Sequence, residues 1–309
     1  VEVAVFVFDQ FVQTGLQSTV PGQFQLVLAD VGGGYLAAVA FGQIAGRLVF
    51  NSSISVDGPL LVQGHQMFLA PKGSYPSPDM VVDKYERATT DLLKDLLHPG
   101  MIFVDVGANI GYFSLLAANL VGTEGTVYAF EPEPGNHELL RKNIELNSYS
   151  NIVMIQKAVS NKSGSAPLFL SALDSGSHSL YSEAARGVKE RIQITTTTID
   201  EFLGLEAWPS IDLIKIDVEG AEFEVLEGME TLAERSSALK LIVEYCPFLI
   251  QSAGAKPSDL FEKLASMGFQ IQIIDDTKGV IPFDASDLIS ITDKLLKQET
   301  YINILCSRK

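Results

Sequence analysis

The chain has 309 residues, a formal net charge of −16 and a hydrophobic fraction of 47%. This length is enough to bury a large core, and the strong acidity argues against a nucleic-acid-binding surface, which requires clustered Lys and Arg side chains. The two cysteines, Cys246 and Cys306, lie in apolar runs without metal-ligand spacing. We therefore expect buried thiols in a reducing, cytoplasmic compartment, with no disulfide framework and no metal site.

Residues 1–79 are predicted to form an N-terminal extension. Its uncharged run at residues 31–46 is too short for a membrane span and is interpreted as helix or core, so no membrane-spanning segment is expected. Residues 48–68 alternate apolar runs with Asn-Ser-Ser and Asp-Gly turn signals, which favours strands and hairpins. The extension is a candidate lid or a candidate contact in a homodimer.

A change in composition separates this extension from the rest of the chain. Residues 71–78 are rich in Pro, Gly and Ser, as is typical of a linker. Residues 80–97 then carry a helical pattern that ends before Pro99 and Gly100. We therefore place a second domain at residues 80–309, where alternating strand and helix patterns after residue 100 favour one α/β unit.

An apolar strand followed by a glycine turn and a helix begins this α/β unit. Residues 101–106 predict a strand buried on both faces of a parallel sheet. Asp105 near its end requires a cation or hydrogen-bond donors; the ammonium of a cofactor is one partner, and a cap on the following helix is the alternative. Gly107 and Gly111 allow a tight turn and the close approach of a ligand before the helical pattern at residues 110–120.

The residues around this turn narrow the choice of ligand. A dinucleotide fingerprint starting at Gly107 requires glycine at positions 109 and 112, where the chain has Asn109 and Tyr112, and no phosphate-loop Gly-Lys-Ser/Thr triplet follows. The next predicted strand ends in Glu131, one strand-helix-strand unit after Asp105, and an acidic residue there suits a ribose diol. A surface charge is the alternative for Glu131. Together these features favour S-adenosylmethionine, which has a ribose and an amino-acid tail but no phosphate.

Five short stretches of the chain carry a recognisable pattern: 105–111 (DVGANIG), 127–132 (VYAFEP), 157–160 (KAVS), 198–202 (TIDEF) and 213–222 (LIKIDVEGAE). With these stretches the chain resembles the FkbM-type family of S-adenosylmethionine-dependent methyltransferases. The first stretch is shared by many methyltransferases, whereas the last is much more particular to this family.

The resemblance implies a Rossmann-like class I methyltransferase fold of the α/β class. Its seven-stranded, mostly parallel sheet has helices on both faces, and its last strand is antiparallel beside the sixth. The strands are expected at residues 101–107, 126–131, 151–158, 211–217, 239–245, 269–275 and 301–306. Residues 163–198 interrupt the alternation of strands and helices. They predict an inserted hairpin over the opening of the cofactor site.

The cofactor site follows from the motifs and the resemblance together. The resemblance places Lys157 and Ala158 beside the adenine, although a solvated Lys157 is an equal alternative. The full set of predicted cofactor-binding residues is Glu86, Asp105, Gly107, Ala108, Asn109, Gly111, Tyr112, Glu131, Pro132, Lys157, Ala158 and Asp217.

Acidic residues at the end of a later strand are candidates for catalysis. Lys215, Asp217 and Glu219 alternate along an extended segment and are expected to share one face. One interpretation is a structural ion-pair network; the other places Asp217 beside the transferable methyl group, where it orients the acceptor hydroxyl or acts as a general base. Glu219 or Glu222 would then bind the acceptor or a cation. Lys215 argues against a dedicated metal site in this cluster.

Two further residues have competing interpretations. Glu244 is an acidic residue at the end of another predicted strand. It either faces the opening of the cofactor site or is a solvated end residue. His178 lies in the predicted insertion, where its ordinary pKa would suit proton removal near neutrality, although a lone loop histidine is more often incidental.

The predicted function is S-adenosylmethionine-dependent methyl transfer to an oxygen of a small molecule or sugar. The oxygen preference comes from the resemblance, because members of the family methylate hydroxyls of polyketides and glycans. N-methylation and a non-catalytic module that binds S-adenosylmethionine or a nucleotide are the alternatives. An oxidoreductase on the same general fold is disfavoured by Asn109 and Tyr112.

Overall fold

The computed structural model describes residues 25–30, 35–40, 58–69, 78–81, 83–172, 176–185 and 187–308. The chain divides into two units, residues 1–85 and residues 86–309. The boundary expected after residue 79 lies close to this division. Of the predicted linker, residues 71–77 lie outside the described residues.

In its described residues, the first unit has two antiparallel hairpins and a short helix. Of the range 31–46, for which a helix or a core segment was expected, residues 35–40 form a strand, so the helix interpretation is wrong there, and the core interpretation stays a prediction. In the second hairpin, the side chains of the first strand alternate between buried and exposed. The elements are β1 (Gln25–Asp30), β2 (Tyr35–Ala40), β3 (Leu60–Val62), β4 (His65–Met67) and α1 (Pro78–Val81).

The helix expected at residues 80–97 is two helices. The first is α1, and the second is α2 (Arg87–Leu96). Between them, Asp83 and Glu86 have φ angles of 54° and 39°. A left-handed residue cannot continue a right-handed helix, so the chain turns at Glu86 before α2 begins.

The second unit is an α/β domain with helices around one main sheet. Its further strands are β5 (Ile102–Val106), β6 (Thr126–Phe130), β7 (Ile152–Ile155), β8 (Ala158–Val159), β9 (Gly164–Ser171), β10 (Val188–Thr197), β11 (Leu213–Ile216), β12 (Lys240–Tyr245), β13 (Gln270–Asp275), β14 (Gly279–Pro282) and β15 (Ile302–Ser307). Its further helices are α3 (Tyr112–Val121), α4 (Pro134–Leu146), α5 (Ile199–Leu205), α6 (Glu222–Glu227), α7 (Glu230–Arg235), α8 (Pro247–Ser252), α9 (Pro257–Ser266) and α10 (Leu288–Gln298). In the described part of the chain, every helix is too short or too polar to cross a lipid bilayer.

The main sheet has the order β14-β13-β15-β12-β11-β5-β6-β7. The strands from β12 to β7 are parallel, and β15 runs antiparallel between β12 and β13. All seven predicted strands are present, and β14 adds an eighth at the edge as the antiparallel partner of β13. The central strands β5 and β11 are almost wholly buried, which is why they read as apolar runs interrupted by single charged residues.

The predicted insertion is a hairpin of β9 and β10. Together with β8, these strands form a separate three-stranded sheet in which β10 is central. Both cysteines are buried free thiols, as expected. Burial raises the pKa of Cys246 to about 11, which disfavours the reactive thiolate.

Candidate functional site

The loop after β5 approaches the loop after β11 so closely that only glycine fits. Gly107 has a φ of +89°, and a Cβ atom there would lie 1.9 Å from the carbonyl oxygen of Asp217. The backbone N–H groups of Gly107 and Ala108 donate to the carbonyl of Phe130, at 3.1 and 2.9 Å. The loop is therefore held on both sides by neighbouring strands before α3 begins.

Glu131 connects this loop to the end of β6. Its side chain is 5% exposed, and its two carboxylate oxygens accept the backbone N–H groups of Asn109, at 2.9 Å, and Glu133, at 2.8 Å. Burial raises the pKa of Glu131 to about 8, although both hydrogen bonds favour the ionised form. A carboxylate has about four acceptor sites, so two ribose hydroxyls could still donate to it. The adjacent Pro132 is partly exposed.

Asp105 already has partners within the protein. Its carboxylate is 1% exposed and accepts the hydroxyl of Ser114, in the first turn of α3, at 2.6 Å. Lys215 lies opposite on β11. Burial raises the pKa of Asp105, while Lys215 and Ser114 act in the other direction. The requirement for a donor or cation that the sequence indicated is thus met by Ser114 and Lys215.

Lys215 is the cation at the centre of the site. Its ammonium lies 2.6 Å from the Asp217 carboxylate and 4.5 Å from the ring centroid of Phe113. Burial alone lowers the pKa of Lys215, but the carboxylates of Asp217, Glu86 and Asp105 outweigh burial and raise it above its ordinary value. Lys215 is therefore charged and ion-paired, as the structural interpretation of this cluster expected.

The shared face expected for Lys215, Asp217 and Glu219 does not extend to Glu219. Strand β11 ends at Ile216, and Glu219 has a left-handed φ of 54°. The backbone therefore turns before the alternation of an extended strand can reach Glu219.

Glu222 holds this turn from the inside. Its Oε1 atom accepts the backbone N–H groups of Val218 and Gly220, both at 3.2 Å. Its Oε2 atom is buried without a hydrogen-bond partner. Burial raises the pKa of Glu222 to about 7.

Glu244 and Asn303 form a second polar pair across β12 and β15. They lie opposite each other in the sheet register. Glu244 is 7% exposed, so the interpretation as a solvated end residue is wrong. The Asn303 amide donates to the Glu86 carboxylate at 2.7 Å and to the Thr89 hydroxyl at 2.9 Å. These bonds connect the left-handed turn before α2 to the last strand.

The remaining predicted cofactor residues follow the glycine loop or follow β7. Gly111 has a φ of +96° and precedes α3. The hydroxyl of the buried Tyr112 is 3.1 Å from that of Thr90, which connects α3 with α2. Lys157 is partly exposed, and Ala158 is buried where β8 pairs with β10.

The insertion contacts the turn after β11. The Ser179 hydroxyl donates to the carbonyl of Glu219 at 2.7 Å, and the Tyr181 hydroxyl donates to the carboxylate of Glu224. His178 accepts the backbone N–H of Ser171 at 3.0 Å through Nδ1. The insertion thus packs against the acidic loop that the sequence selected for catalysis.

Several of these partners were not predicted from the sequence. Ser114 could have been found, because a hydroxyl in the first turn after the glycine loop can reach the preceding strand end. Thr90 and Asn303 carry no such signal, since each meets its partner only in the tertiary structure.

In the described ranges, no group of three or more His, Cys, Asp or Glu side chains is placed to hold a metal ion.

The sheet order, the glycine loop and the buried acid after β6 define the class of this protein. It has a Rossmann-like α/β fold, in which the glycine loop and Glu131 lie at the carboxyl ends of the parallel strands, where ligands bind in open sheets of this kind. The family model described as the methyltransferase FkbM domain matches residues 105–271, more than half of the chain. The chain belongs to this family of S-adenosylmethionine-dependent methyltransferases.

Three relatives illustrate the range of the family. Methyltransferase sdnD of Sordaria araneosa is 31% identical over 179 residues, covering 47% of this chain and 68% of the relative. Hexuronic acid methyltransferase AglP of Haloferax volcanii is 27% identical over 191 residues, covering 60% of this chain and 72% of the relative. The 31-O-demethyl-FK506 methyltransferase FkbM of Streptomyces tacrolimicus is 31% identical over 161 residues, covering 43% of this chain and 61% of the relative.

Proposed function

We propose that this methyltransferase acts on a hydroxyl oxygen of a small molecule or sugar. The observation that carries the proposal is the placement of Asp217 and Glu244, which follow the paired residues Ile216 and Val243 at the ends of neighbouring strands. A hydroxyl donates a hydrogen bond, and carboxylates at this edge can accept it. The relatives named for 31-O-demethyl-FK506 and for hexuronic acid support a polyketide-type or carbohydrate acceptor.

The residues around the glycine loop fit S-adenosylmethionine. Gly107 leaves space beside Asp217 that a side chain would fill, and Glu131 offers buried acceptors for a ribose. When bound, the cofactor supplies an electrophilic methyl group on a sulfonium. We propose that the loop residues contact its sugar and amino-acid tail, that Lys157 and Ala158 border its adenine, and that the complete set is Glu86, Asp105, Gly107, Ala108, Asn109, Gly111, Tyr112, Glu131, Pro132, Lys157, Ala158 and Asp217.

Asp217, Glu219 and His178 are the proposed groups on the acceptor side. The ion pair with Lys215 fixes the Asp217 carboxylate, which supports a role in orienting the acceptor hydroxyl rather than in taking its proton. The contact of Ser179 with Glu219 supports a role for the insertion, including His178, in shaping the acceptor site. Methyl transfer depends largely on holding the acceptor in line with the sulfonium.

The test begins with calorimetric titration of the full chain with S-adenosylmethionine, S-adenosylhomocysteine and NAD. We expect binding of the first two and none of NAD. Labelled methyl donor is then offered with neutral sugars, uronic acids, hydroxylated macrolides and amines. Label on a hydroxyl supports the proposal, and label on an amine indicates N-methylation. Cofactor binding without transfer to any acceptor favours the non-catalytic module.

Four further expectations accompany this function. Given the net charge of −16, we propose that the acceptor is not a nucleic acid. We also propose a cytoplasmic location, a homodimer formed through the N-terminal extension, and a domain division at about residue 80 with the insertion at residues 163–198 in the methyltransferase domain. Light scattering of the full chain and of residues 80–309 tests the dimer.

A further inference from the structure

The strand register places polar side chains in a row on one face of the main sheet. Asp105 lies opposite Lys215, and Lys215 lies opposite Ile242. Glu244, two residues after Ile242, points to the same face and lies opposite Asn303. The row therefore crosses four adjacent strands, with Glu244 nearest the carboxyl edge.

Most members of this row are engaged by other parts of the protein. The ammonium of Lys215 binds Asp217, and the hydroxyl of Ser114 binds Asp105. The Asn303 amide donates to Glu86 and Thr89. These members are held by donors or counter-charges within the protein.

Glu244 has a different environment. Burial is the largest influence on its pKa and raises it, and the carboxylates of Asp217, Glu219 and Glu222 raise it further. The Cys246 thiol acts in the same direction. A carboxylate whose pKa is raised is a stronger base than an ordinary carboxylate.

A second observation points to a missing donor on the same side of the site. Glu222 is 1% exposed, and its Oε2 atom has no hydrogen-bond partner although its Oε1 atom accepts two backbone N–H groups. An unpaired buried acceptor is destabilising, because it has lost its hydrogen bonds to water and gained none in the protein. The charge of Glu222 also raises the pKa of Glu244. The turn that Glu222 holds follows β11, which is the strand paired with β12, where Glu244 lies.

We propose that Glu244 takes the proton of the acceptor hydroxyl during methyl transfer. This inference rests on the proposed function. The acceptor oxygen forms a bond to the methyl carbon, the C–S bond breaks with its electron pair going to sulfur, and the hydroxyl proton goes to the Glu244 carboxylate. Asp217, held by Lys215, positions the hydroxyl.

The charged and titratable groups that face Glu244 come from four elements. Asp217 and Glu219 follow β11, Glu222 begins α6, and Cys246 precedes α8. The charge of Glu244 also raises the pKa of Tyr301, which lies just before β15. Lys215 is a cation on the same face of the sheet, and its ammonium is paired with the Asp217 carboxylate at 2.6 Å.

The test requires no acceptor. Sinefungin carries a charged amine where S-adenosylmethionine carries its transferable methyl group, whereas S-adenosylhomocysteine carries nothing there. A carboxylate near the methyl position therefore strengthens sinefungin binding only. At pH 8.5, we expect the wild-type chain to bind sinefungin at least about tenfold more tightly than S-adenosylhomocysteine, because unit charges about 4 Å apart interact by several kcal/mol at a protein surface.

Glu244→Gln should remove most of this preference and leave the affinity for S-adenosylhomocysteine within about twofold. Glu262→Gln, which removes the same charge from an exposed position on α9, is the matched control and should keep the preference. If Glu244→Gln does not fold, Glu244→Asp replaces it, because a carboxylate shortened by one methylene should lower the preference.

An unchanged preference in the Glu244 variant overturns the proposal. So does loss of S-adenosylhomocysteine binding in a folded variant, because that result places Glu244 among the groups that hold the cofactor itself. Failure of the wild-type chain to bind either analogue counts instead against the proposed function and its cofactor site.

Discussion

The two halves of the site use the same chemical group in opposite ways. On the cofactor side, both oxygens of Glu131 accept backbone N–H groups, and Asp105 is bound by Ser114 and faces Lys215. On the acceptor side, one oxygen of Glu222 is buried without a partner, and the leading influences on the pKa of Glu244 are burial and like charges. The carboxylates of the first half are held by donors within the protein, whereas Glu222 in the second half keeps a buried oxygen without a hydrogen-bond partner.

Gly107→Ala should break the organised half most severely. The added Cβ would lie 1.9 Å from the Asp217 carbonyl, and the φ of +89° disfavours any side chain. We expect a loss of about 4 kcal/mol or more in the free energy of unfolding, together with loss of S-adenosylhomocysteine binding. Urea unfolding and calorimetry measure both.

Gly268→Ala is the matched control for this substitution. Gly268 has a similar φ of +84°, but a Cβ there would meet nothing within 4 Å. Its cost should be about 1 kcal/mol, from the backbone conformation alone. Equal losses in the two variants would show that the close approach at Gly107 is not the constraint.

Lys215→Met should produce the next largest effect. It removes the cation that pairs with Asp217 and faces Asp105, and breaking a buried pair typically costs about 3–5 kcal/mol. Lys142→Met, at a half-exposed ion pair with Glu138, should cost less than about 1 kcal/mol. A Lys215→Met chain as stable as the Lys142 variant would contradict the central role of this cation, and urea unfolding decides between them.

The pH dependence of stability should distinguish the acceptor half. Burial raises the pKa of Glu222 from 4.5 to about 7, so the folded state binds more protons than the unfolded state between these values. The stability contributed by this protonation is complete below pH 4.5 and is lost as pH rises through about 7. Relative to wild type, Glu222→Gln should therefore gain about 2–3 kcal/mol between pH 5 and pH 8. Urea unfolding measures the stability of both chains at the two pH values. The same stability difference between variant and wild type at pH 5 and at pH 8 would contradict the prediction.

Glu131→Gln should have the smallest of these effects. The glutamine keeps one acceptor oxygen but replaces the other with a donor, which would face a backbone N–H. We expect the affinity for S-adenosylhomocysteine to fall about tenfold, the loss expected for one hydrogen bond. Glu124→Gln, at an exposed position before β6, should leave it unchanged. Calorimetry that shows equal affinities in both variants would remove Glu131 from the cofactor site.

The cofactor half was largely predictable because its determinants are local. The strand, the glycine turn and the helix are contiguous in residues 102–121, and Glu131 follows at the end of the next strand. Backbone geometry and apolar periodicity set such units without reference to distant residues. The seven predicted strands of the main sheet are confirmed for the same reason.

The acceptor half was only partly predictable. The sequence indicated the acidic residues after β11 and the insertion, but Glu219 turned out to lie beyond the strand and Glu244 to be buried. The break between α1 and α2 was also missed, because left-handed Glu86 is held by Asn303, which lies 217 residues away in the chain.

The sequence by itself determined the family, the seven predicted strands of the main sheet and the glycine loop after β5, since each depends on short motifs and on hydrophobic periodicity. The tertiary structure alone decided which carboxylates have partners. Whether a buried acid meets Lys215, a backbone N–H or other acids depends on how distant strands pair. Neighbouring strands of the sheet come from separate parts of the chain, so their side-chain contacts carry no local signal.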